Sequence, residues 1–278
     1  MSKRFSGRRA LVTGASRGIG AAIAERLAAD GADVAIVART AEHHDHLAGS
    51  LAATRERLSR YGHTVVPVVA DLVDEDQRAT IVPSAAEQLG GPVEILVNNA
   101  AAAIYQPVVG YPRHRRRITY EVNVFAPIDL ADAVIPAMLE CGCGWIVNIT
   151  SASASIKPGP PFELMPPGTA TGMYASSKAA LNRWTNALGA ELYGRGIRVN
   201  AVGPKAAVLS EGAQALVGAT VRPEQLEPME AMVESVVALC DCDEEVTGKV
   251  FASLDLIAAW DLDVYGLDGV PLQKQPIR

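Results

Sequence analysis

The chain has 278 residues, a formal net charge of -6 and 49% hydrophobic residues. Its length is compatible with one or two domains, and the hydrophobic fraction supports a large core and excludes disorder by composition. Because general nucleic-acid binders are usually basic, the acidic balance favours a small-molecule substrate over a nucleic-acid partner.

The cysteines and the N-terminal residues give no sign of metal binding, secretion or membrane insertion. The cysteines form two Cys-x-Cys pairs, at 141–143 and 240–242, whereas zinc ribbons usually use Cys-x2-Cys. Residues 1–10 lack the apolar run of a signal peptide, and no stretch of about 18 uncharged apolar residues predicts a membrane span. We therefore expect a soluble, cytoplasmic protein without a metal site.

The first predicted unit is a strand, a glycine-rich turn and a helix. Residues 9–12 are an apolar run typical of a buried strand, and residues 21–30 have helical periodicity. Between them Gly14 permits a tight turn, Gly18 permits close approach of a pyrophosphate, and Gly20 permits close packing of helix and sheet. Since a helix N-terminus offers free N–H groups to phosphates, this unit predicts dinucleotide binding.

The second predicted strand, residues 33–39, carries the signal for the choice of cofactor. An acidic residue at its end would hydrogen-bond to the adenosine ribose and favour NAD(H). Here the strand ends in Ala38 and Arg39, and Arg17 is predicted to lie near the same place. Two guanidinium groups without a carboxylate suit a ribose 2′-phosphate, so the sequence favours NADP(H) over NAD(H).

Two interpretations stay open in the next predicted elements. Residues 42–46 contain three histidines and open the following predicted helix, where a solvated helix face is favoured over a metal site. A third strand, residues 63–70, is followed by Asp71. Its carboxylate either accepts a hydrogen bond from an adenine amino group or caps the helix predicted through 79–89, and the two roles are compatible.

A fourth strand, residues 93–97, is followed by two asparagines and then by a long helix predicted over 113–139. The basic run at 113–117 is either a solvated helix face or a surface that attracts an anionic substrate carrier such as coenzyme A or an acyl carrier protein. Asn123 lies among apolar neighbours in this helix. Its amide needs hydrogen-bond partners, which either a structural or a site role would supply.

The fifth predicted strand, residues 145–150, ends beside Ser151. Ligands bind beyond the carboxyl ends of strands in open α/β sheets, so Ser151, with Ser153 as the alternative, has the position of a site residue. Residues 156–170 are rich in proline and glycine, which excludes regular structure. Apolar residues in this loop insertion indicate either a wall of the substrate pocket or a passive surface loop.

A helix predicted from about 172 to 193 carries Tyr174 and Lys178, which are four residues apart and therefore on one helix face. The ordinary pKa of a tyrosine, near 10, is too high for acid–base work at neutral pH, and a neighbouring cation lowers it. Such a phenol can donate a proton to a carbonyl oxygen or take one from an alcohol. The alternative is an ordinary exposed helix.

The remaining predicted elements continue the alternation of strands and helices. They are a strand at 197–202, a flexible flap at 206–219, a helix at 229–239, a strand at 249–253 and a tail, 254–278, of unassigned structure. This alternation predicts an α/β fold with a doubly wound parallel sheet, in one domain that covers residues 1–278.

The ordered set of motifs resembles the short-chain dehydrogenase/reductase family. The matching residues are Thr13–Gly20, Asp71, Asn98–Ala100, Asn123, Ser151, Tyr174, Lys178 and Ile197–Ala201. The resemblance implies a Rossmann-type fold and hydride transfer between a nicotinamide and a carbonyl or alcohol. It also implies a homodimer or homotetramer, formed through the helices near 113–139 and 172–193.

The resemblance further implies a role for each matching residue. Tyr174 would be the general acid or base. Lys178 would lower its pKa and hold the nicotinamide ribose. Ser151 would hydrogen-bond to the substrate oxygen, and Asn123 would hold a water that links Lys178 to solvent. The implied cofactor-binding residues are Gly14, Ser16, Arg17, Gly18, Ile19, Gly20, Arg39, Asp71, Leu72, Asn98, Ala100, Tyr174, Lys178, Pro204 and Ala207.

The sequence departs from the family pattern on the substrate side. Ala101 and Lys205 replace glycines, Leu209 stands near the position of a threonine, and residues 251–255 replace the usual Val-Asp-Gly-Gly ending. The leading hypothesis is a reductase of a largely apolar ketone or a dehydrogenase of the matching alcohol. The alternatives are a β-ketoacyl thioester reductase and a non-catalytic nucleotide-binding sensor or scaffold.

Overall fold

The computed structural model describes residues 3–42, 48–162, 170–211, 213–214 and 222–272. Within them the strands are β1 Arg9–Thr13, β2 Asp33–Ala38, β3 Val65–Val69, β4 Ile95–Asn98, β5 Gly144–Ile149, β6 Ile197–Gly203 and β7 Val250–Ala252. The helices are α1 Gly18–Ala29, α2 Leu51–Ser59, α3 Glu75–Leu89, α4 Arg113–Tyr120, α5 Ala126–Cys141, α6 Gly172–Glu191, α7 Met229–Leu239 and α8 Ser253–Ala259.

The seven strands form one parallel sheet in the order β3-β2-β1-β4-β5-β6-β7. Helices cover both faces, so the central strands are buried on both sides, as their near-continuous apolar runs require. On one face α1, α2 and α7 pack over the sheet, and on the other α3, α5 and α6 do. The predicted Rossmann-type, doubly wound α/β fold is confirmed.

One predicted helix start was wrong, and one of the two roles left open for Asp71 is excluded. In both cases a local cap explains the difference. The helix after β2 begins at Leu51, where the hydroxyl of Ser50 accepts a hydrogen bond from Ala53 N. The three histidines predicted to open it, within residues 43–46, lie outside the described residues. The helix after β3 is capped by Asp74, so Asp71 does not cap it.

The predicted long helix runs continuously from 113 to 141 and contains a π-helical turn, Glu121–Phe125, between α4 and α5. It is long and apolar enough to cross a membrane, with an 18-residue window of mean hydropathy 1.5 that is 44% buried. Leu130, Val134 and Met138 pack in the core on the sheet. Core helices of soluble proteins can also be this long and this apolar. The absence of a membrane partner and the cytoplasmic location stay predictions.

Candidate active site

The glycine turn after β1 has the conformation that its sequence predicts. Gly14 and Gly18 have φ values of 67° and 57°, in the left-handed region that favours glycine. A Cβ atom on Gly20 would clash with the carbonyl oxygen of Gly14. Glycine at these positions therefore lets α1 begin directly against the turn, with its first N–H groups at the carboxyl edge of the sheet.

A cavity of about 480 Å³ opens at this edge, between the glycine turn and the ends of β2, β3 and β4. The predicted cofactor-binding residues that line it are Gly14, Ser16, Arg17, Gly18, Ile19, Gly20, Arg39, Asp71, Leu72 and Ala100. The structure therefore brings together most of the set that the sequence proposed.

Five predicted cofactor-binding residues lie away from the cavity lining. Two of them, Tyr174 and Lys178, are described below with the catalytic residues, and the other three are Asn98, Pro204 and Ala207. The Asn98 side chain is buried in the sheet, where its Nδ2 donates to Asn148 Oδ1 at 2.9 Å. Pro204 and Ala207 follow β6, and the backbone of Ala207 pairs with that of Leu226. Their contact with a cofactor stays a prediction.

Asn99, which sequence reasoning passed over, holds the glycine turn. Its Nδ2 donates to the carbonyl oxygens of Thr13 at 2.8 Å and Gly14 at 3.3 Å, and its backbone N donates to Thr13 Oγ1 at 3.0 Å. Asn99 also lines the cavity. The Asn-Asn pair after β4 was the signal for this role. The sequence does not indicate which of the two side chains faces the cavity.

The rim of the cavity near β2 is cationic. Arg39 is 69% exposed, and its Nη1 lies 3.9 Å from Asp71 Oδ2, so this pair is weak and solvated. The Nε of Arg17 is buried and has no hydrogen-bond partner among the described residues. A buried donor of this kind calls for an acceptor, such as a phosphate oxygen.

Tyr174 and Lys178 lie on one face of α6, and α6 places them beside the end of β5. The hydroxyl of Tyr174 shares a hydrogen bond with that of Ser151, immediately after β5. The hydroxyls of Ser151 and Ser153 are hydrogen-bonded to each other, with 2.9 Å between their oxygens. The Lys178 side chain is 1% exposed, and its Nζ donates to the carbonyl oxygen of Ile149 at 2.7 Å.

Burial dominates the protonation of both groups. It raises the pKa of Tyr174, while the hydrogen bond with Ser151 opposes the rise, and it lowers the pKa of Lys178 to about 8. The sequence-based expectation that Lys178 lowers the pKa of the phenol stays a prediction, and in this structure burial outweighs any such effect. The ammonium lies 6.0 Å from the centre of the ring and is itself disfavoured by burial, so it does not offset the desolvation of the phenol.

Asn123 is fully buried in the π-helical turn and links the site to the loop after β4. Its Oδ1 accepts from Ala102 N at 2.8 Å, and its Nδ2 donates to Ser177 Oγ at 3.0 Å and to Ala102 O at 3.3 Å. Ser177 Oγ donates to the carbonyl oxygen of Tyr174. A structural role of Asn123 is therefore visible, and the predicted proton-relay role stays a prediction.

The cavity and Tyr174 lie at the same edge of the sheet. Ile104 lines the cavity, and the next residue, Tyr105, packs its ring against that of Tyr174 with 5.6 Å between ring centres. The sequence analysis did not identify Tyr105. A ligand in the cavity would thus extend towards the phenol of Tyr174.

The departures from the family pattern after β6 meet in space around a buried carboxylate. Glu227, 4% exposed, accepts from the backbone N atoms of Lys205 and Ala206, each at 2.9 Å, and from Ser253 Oγ at 2.6 Å. The ammonium of Lys205 pairs with Asp255 on α8. Burial raises the pKa of Glu227, and these donors oppose the rise.

The basic run at the start of α4 lies close to the cavity, which Ile118 and Val122 of the same continuous helix line. Within the described residues, the ion pairs do not include Arg113, Arg115, Arg116 or Arg117. This side of the site therefore presents unpaired positive charge.

The described residues also hold no cluster of three or more metal-binding side chains.

The residues around the cavity fit a dinucleotide. The glycine turn leaves room for a backbone approach that a Cβ atom would block, and the buried Arg17 Nε offers an unused donor. The helix N-terminus adds a partial positive charge.

Comparison with known proteins connects this geometry to one family. Residues 8–217 match the model of the short chain dehydrogenases. The human hydroxysteroid dehydrogenase-like protein 2 is 29% identical over 97% of this chain. The chain spans 63% of the length of that relative.

Two further similar proteins are reductases by name. The ketoacyl reductase HetN of a Nostoc species is 32% identical over 72% of this chain and 63% of its own length. The structure of a 3-oxoacyl (acyl-carrier-protein) reductase from Agrobacterium tumefaciens with NADP bound is 26% identical, with a TM-score of 0.74 over 89% of this chain and 93% of that one.

Proposed function

The chain belongs to the short-chain dehydrogenase/reductase family of NAD(P)-dependent oxidoreductases, and we propose that it interconverts a largely apolar ketone and its secondary alcohol with NADP(H). The observation that carries this proposal is the position of Tyr174. Its hydroxyl is hydrogen-bonded with that of Ser151 at the sheet edge where the cavity lined by the glycine turn opens.

In this proposal the nicotinamide cofactor, when bound, supplies or accepts the hydride. The hydroxyls of Tyr174 and Ser151 hydrogen-bond to the substrate oxygen, where negative charge develops during reduction. Tyr174 then gives its proton to that oxygen. The phenol is protonated at neutral pH, as a proton donor must be. Its raised pKa makes it a weaker acid than a tyrosine in water, so the negative charge that develops on the substrate oxygen has to drive the transfer.

We assign Lys178 and Asn123 to the support of this step. The amine of Lys178, with a pKa lowered to about 8, is able to exchange a proton near neutral pH. The amide of Asn123 joins the loop after β4 to α6 and thereby fixes the two walls of the site.

The preference for NADP(H) rests on Arg17 and Arg39. Both line the cavity, and the NADP-bound reductase structure supports a nicotinamide dinucleotide as the class of ligand. We expect NADPH to be consumed faster than NADH in the presence of an apolar ketone, measured by the loss of reduced-cofactor absorbance. A clear preference for NADH would contradict the assignment of the two arginines.

The proposed apolar substrate rests on the loop after β5. Its described part exposes Ile156 and Phe162, whereas the predicted contributors Leu164 and Met165 lie outside the described residues. A panel of ketones of increasing apolar size, scanned with NADPH, tests this point. NADPH binding without consumption of any carbonyl compound in the panel would instead support the non-catalytic sensor.

A β-ketoacyl thioester on an anionic carrier is the second candidate substrate, favoured by the unpaired arginines at the start of α4. The experiment compares a carrier-bound β-ketoacyl substrate with a small free ketone in the Arg115→Glu/Arg116→Glu variant. We expect a raised KM for the carrier substrate alone. Arg55→Glu, on α2 at the other face of the sheet, is the matched control, and equal KM values in all three proteins would exclude this candidate.

We also propose a homodimer or homotetramer built on the continuous helix 113–141 and on α6. Phe125 is exposed on the first, and Tyr193 is exposed just beyond the second. Sedimentation velocity tests this proposal, and a monomer at micromolar concentration would contradict it.

A further inference from the structure

Tyr105 meets the proposed proton donor directly. Its ring contacts that of Tyr174 in an edge-to-face arrangement, with an interplanar angle of 62° and 5.6 Å between ring centres. Aromatic pairs favour this geometry because the positive edge of one ring faces the negative face of the other. The contact therefore restricts the orientation of both rings.

The loop that carries Tyr105 is anchored on both sides of it. Before it, the backbone of Ala102 exchanges two hydrogen bonds with the Asn123 side chain, at 2.8 and 3.3 Å. A second hydrogen bond spans Tyr105: the hydroxyl of the buried Tyr111, six residues further along the chain, donates to the carbonyl oxygen of Ile104, the residue before Tyr105, at 3.1 Å. Tyr105 thus belongs to a fixed wall of the site and not to a loose surface loop.

The same asparagine also holds the backbone of Tyr174. Its Nδ2 donates to Ser177 Oγ at 3.0 Å, and that hydroxyl donates to the carbonyl oxygen of Tyr174 at 2.7 Å. One buried amide therefore sets the distance between the loop of Tyr105 and the first turn of α6. The ring contact is a consequence of this shared support.

We propose that Tyr105 is a positioning residue, which fixes the ring of Tyr174 and excludes water from its hydroxyl. The proposal rests on the proposed function, because it acts through Tyr174 as proton donor. The ring of Tyr105 sets the direction of the Tyr174 phenol, and the bulk of this ring keeps water away from the phenol.

The experiment compares Tyr105→Ala, which removes the ring, with Tyr105→Phe, which keeps the ring and removes only the hydroxyl. We expect kcat to fall about 10- to 100-fold in the Ala variant, as for a misplaced catalytic group, with the NADPH dissociation constant unchanged. The Phe variant should retain most of the parent kcat. Tyr120→Ala is the matched control and should retain the parent kcat. It removes a ring of α4 whose hydroxyl donates to Ser176 on α6, the helix of Tyr174.

A second readout needs neither cofactor nor substrate. Phenolate absorbance is titrated in each protein with and without Tyr174→Phe, and the difference gives the titration of Tyr174. Burial and the neighbouring Tyr105 phenol both raise the pKa of Tyr174. The Ala variant, which admits water and removes the second phenol, should therefore lower this pKa more than the Phe variant, which removes only the second phenol. A merely structural role of Tyr105 would not move this titration selectively.

The proposal is overturned if Tyr105→Ala keeps both the parent kcat and the parent titration of Tyr174, or if Tyr105→Phe is as impaired as Tyr105→Ala. Should circular dichroism show that the Ala variant is unfolded, Tyr105→Leu takes its place. We then expect the fall in kcat, because the ring is lost, and a smaller change in the Tyr174 titration, because part of the bulk stays. Failure of the proposed function looks different, because the parent itself would then turn over no carbonyl compound, while the titration readout would still report on the ring contact.

Discussion

The amine of Lys178 donates its hydrogen bond to the carbonyl oxygen of Ile149, 2.7 Å away at the end of β5, two residues before Ser151. Strand β5 and helix α6 are therefore joined at the site by a buried polar contact. Because this lysine is 1% exposed, its charge is costly, and protein stability is coupled to its protonation.

This coupling predicts a pH-dependent stability. Burial lowers the pKa of Lys178 from 10.5 to about 8, so between these values the unfolded chain binds more protons and the parent becomes more stable as pH rises. Lys178→Met keeps the apolar stem and removes the titration. The unfolding free energy of the variant minus that of the parent should be constant below about pH 8 and should fall from there to pH 10.5, by on the order of 3 kcal/mol.

Denaturant unfolding at several pH values measures this difference. A difference that does not vary with pH would show that the amine titrates normally in the folded protein.

Tyr174→Phe removes the proposed proton donor and keeps the ring. We expect kcat to fall by at least about 10²- to 10⁴-fold, the usual contribution of a general acid. The NADPH dissociation constant should stay near that of the parent, because the phenol lies beyond the cavity lining. Steady-state kinetics and a fluorescence titration check the two parts, with the exposed Tyr193→Phe as control. Turnover near the parent value would remove Tyr174 from the mechanism.

Arg17→Ala and Arg39→Ala should each weaken NADPH selectively. A charge-assisted hydrogen bond contributes about 1.5–3 kcal/mol, so KM for NADPH should rise about 10- to 100-fold, less for the solvated Arg39. KM for NADH should change little, since NADH lacks the 2′-phosphate. Arg55→Ala controls for loss of positive charge. An equal rise for both cofactors would assign the arginines to the shared pyrophosphate or to the fold.

Glu227→Ala should destabilise the protein by about 3 kcal/mol, because two backbone N–H groups and the Ser253 hydroxyl would lose their acceptor. Glu224→Ala, which removes an exposed carboxylate paired with Arg222, is the matched control and should change stability by less than about 0.5 kcal/mol. Chemical denaturation of both variants measures the contrast. Equal effects would mean that Glu227 contributes only surface charge.

The fold and the glycine turn could be predicted because their signals are local. Strands buried on both faces must be apolar along their length, and Gly14 and Gly18 adopt φ values that other residues rarely reach. Helix periodicity placed Tyr174 and Lys178 on one helix face, and the ordered set of family motifs assigned them to the site.

The remaining features depend on contacts between distant residues. Strand periodicity does not say which of Asn98 and Asn99 faces the cavity, since neighbouring side chains point to opposite faces. The raised pKa of Tyr174 follows from burial, which the helix pattern does not reveal. The contact of Tyr105 with Tyr174 joins residues far apart in the chain, and the short helix α8 was missed because its seven residues give too little periodicity.

The cluster around Glu227 has a consequence for attempts to redesign this chain. Lys205 and Ser253 are unusual one at a time, yet each is bonded to a partner within one network that also contains Asp255. Replacing Ser253 alone would remove the hydroxyl that bridges the backbone N of Lys205 and the buried carboxylate of Glu227, so consensus engineering is expected to be epistatic at these positions.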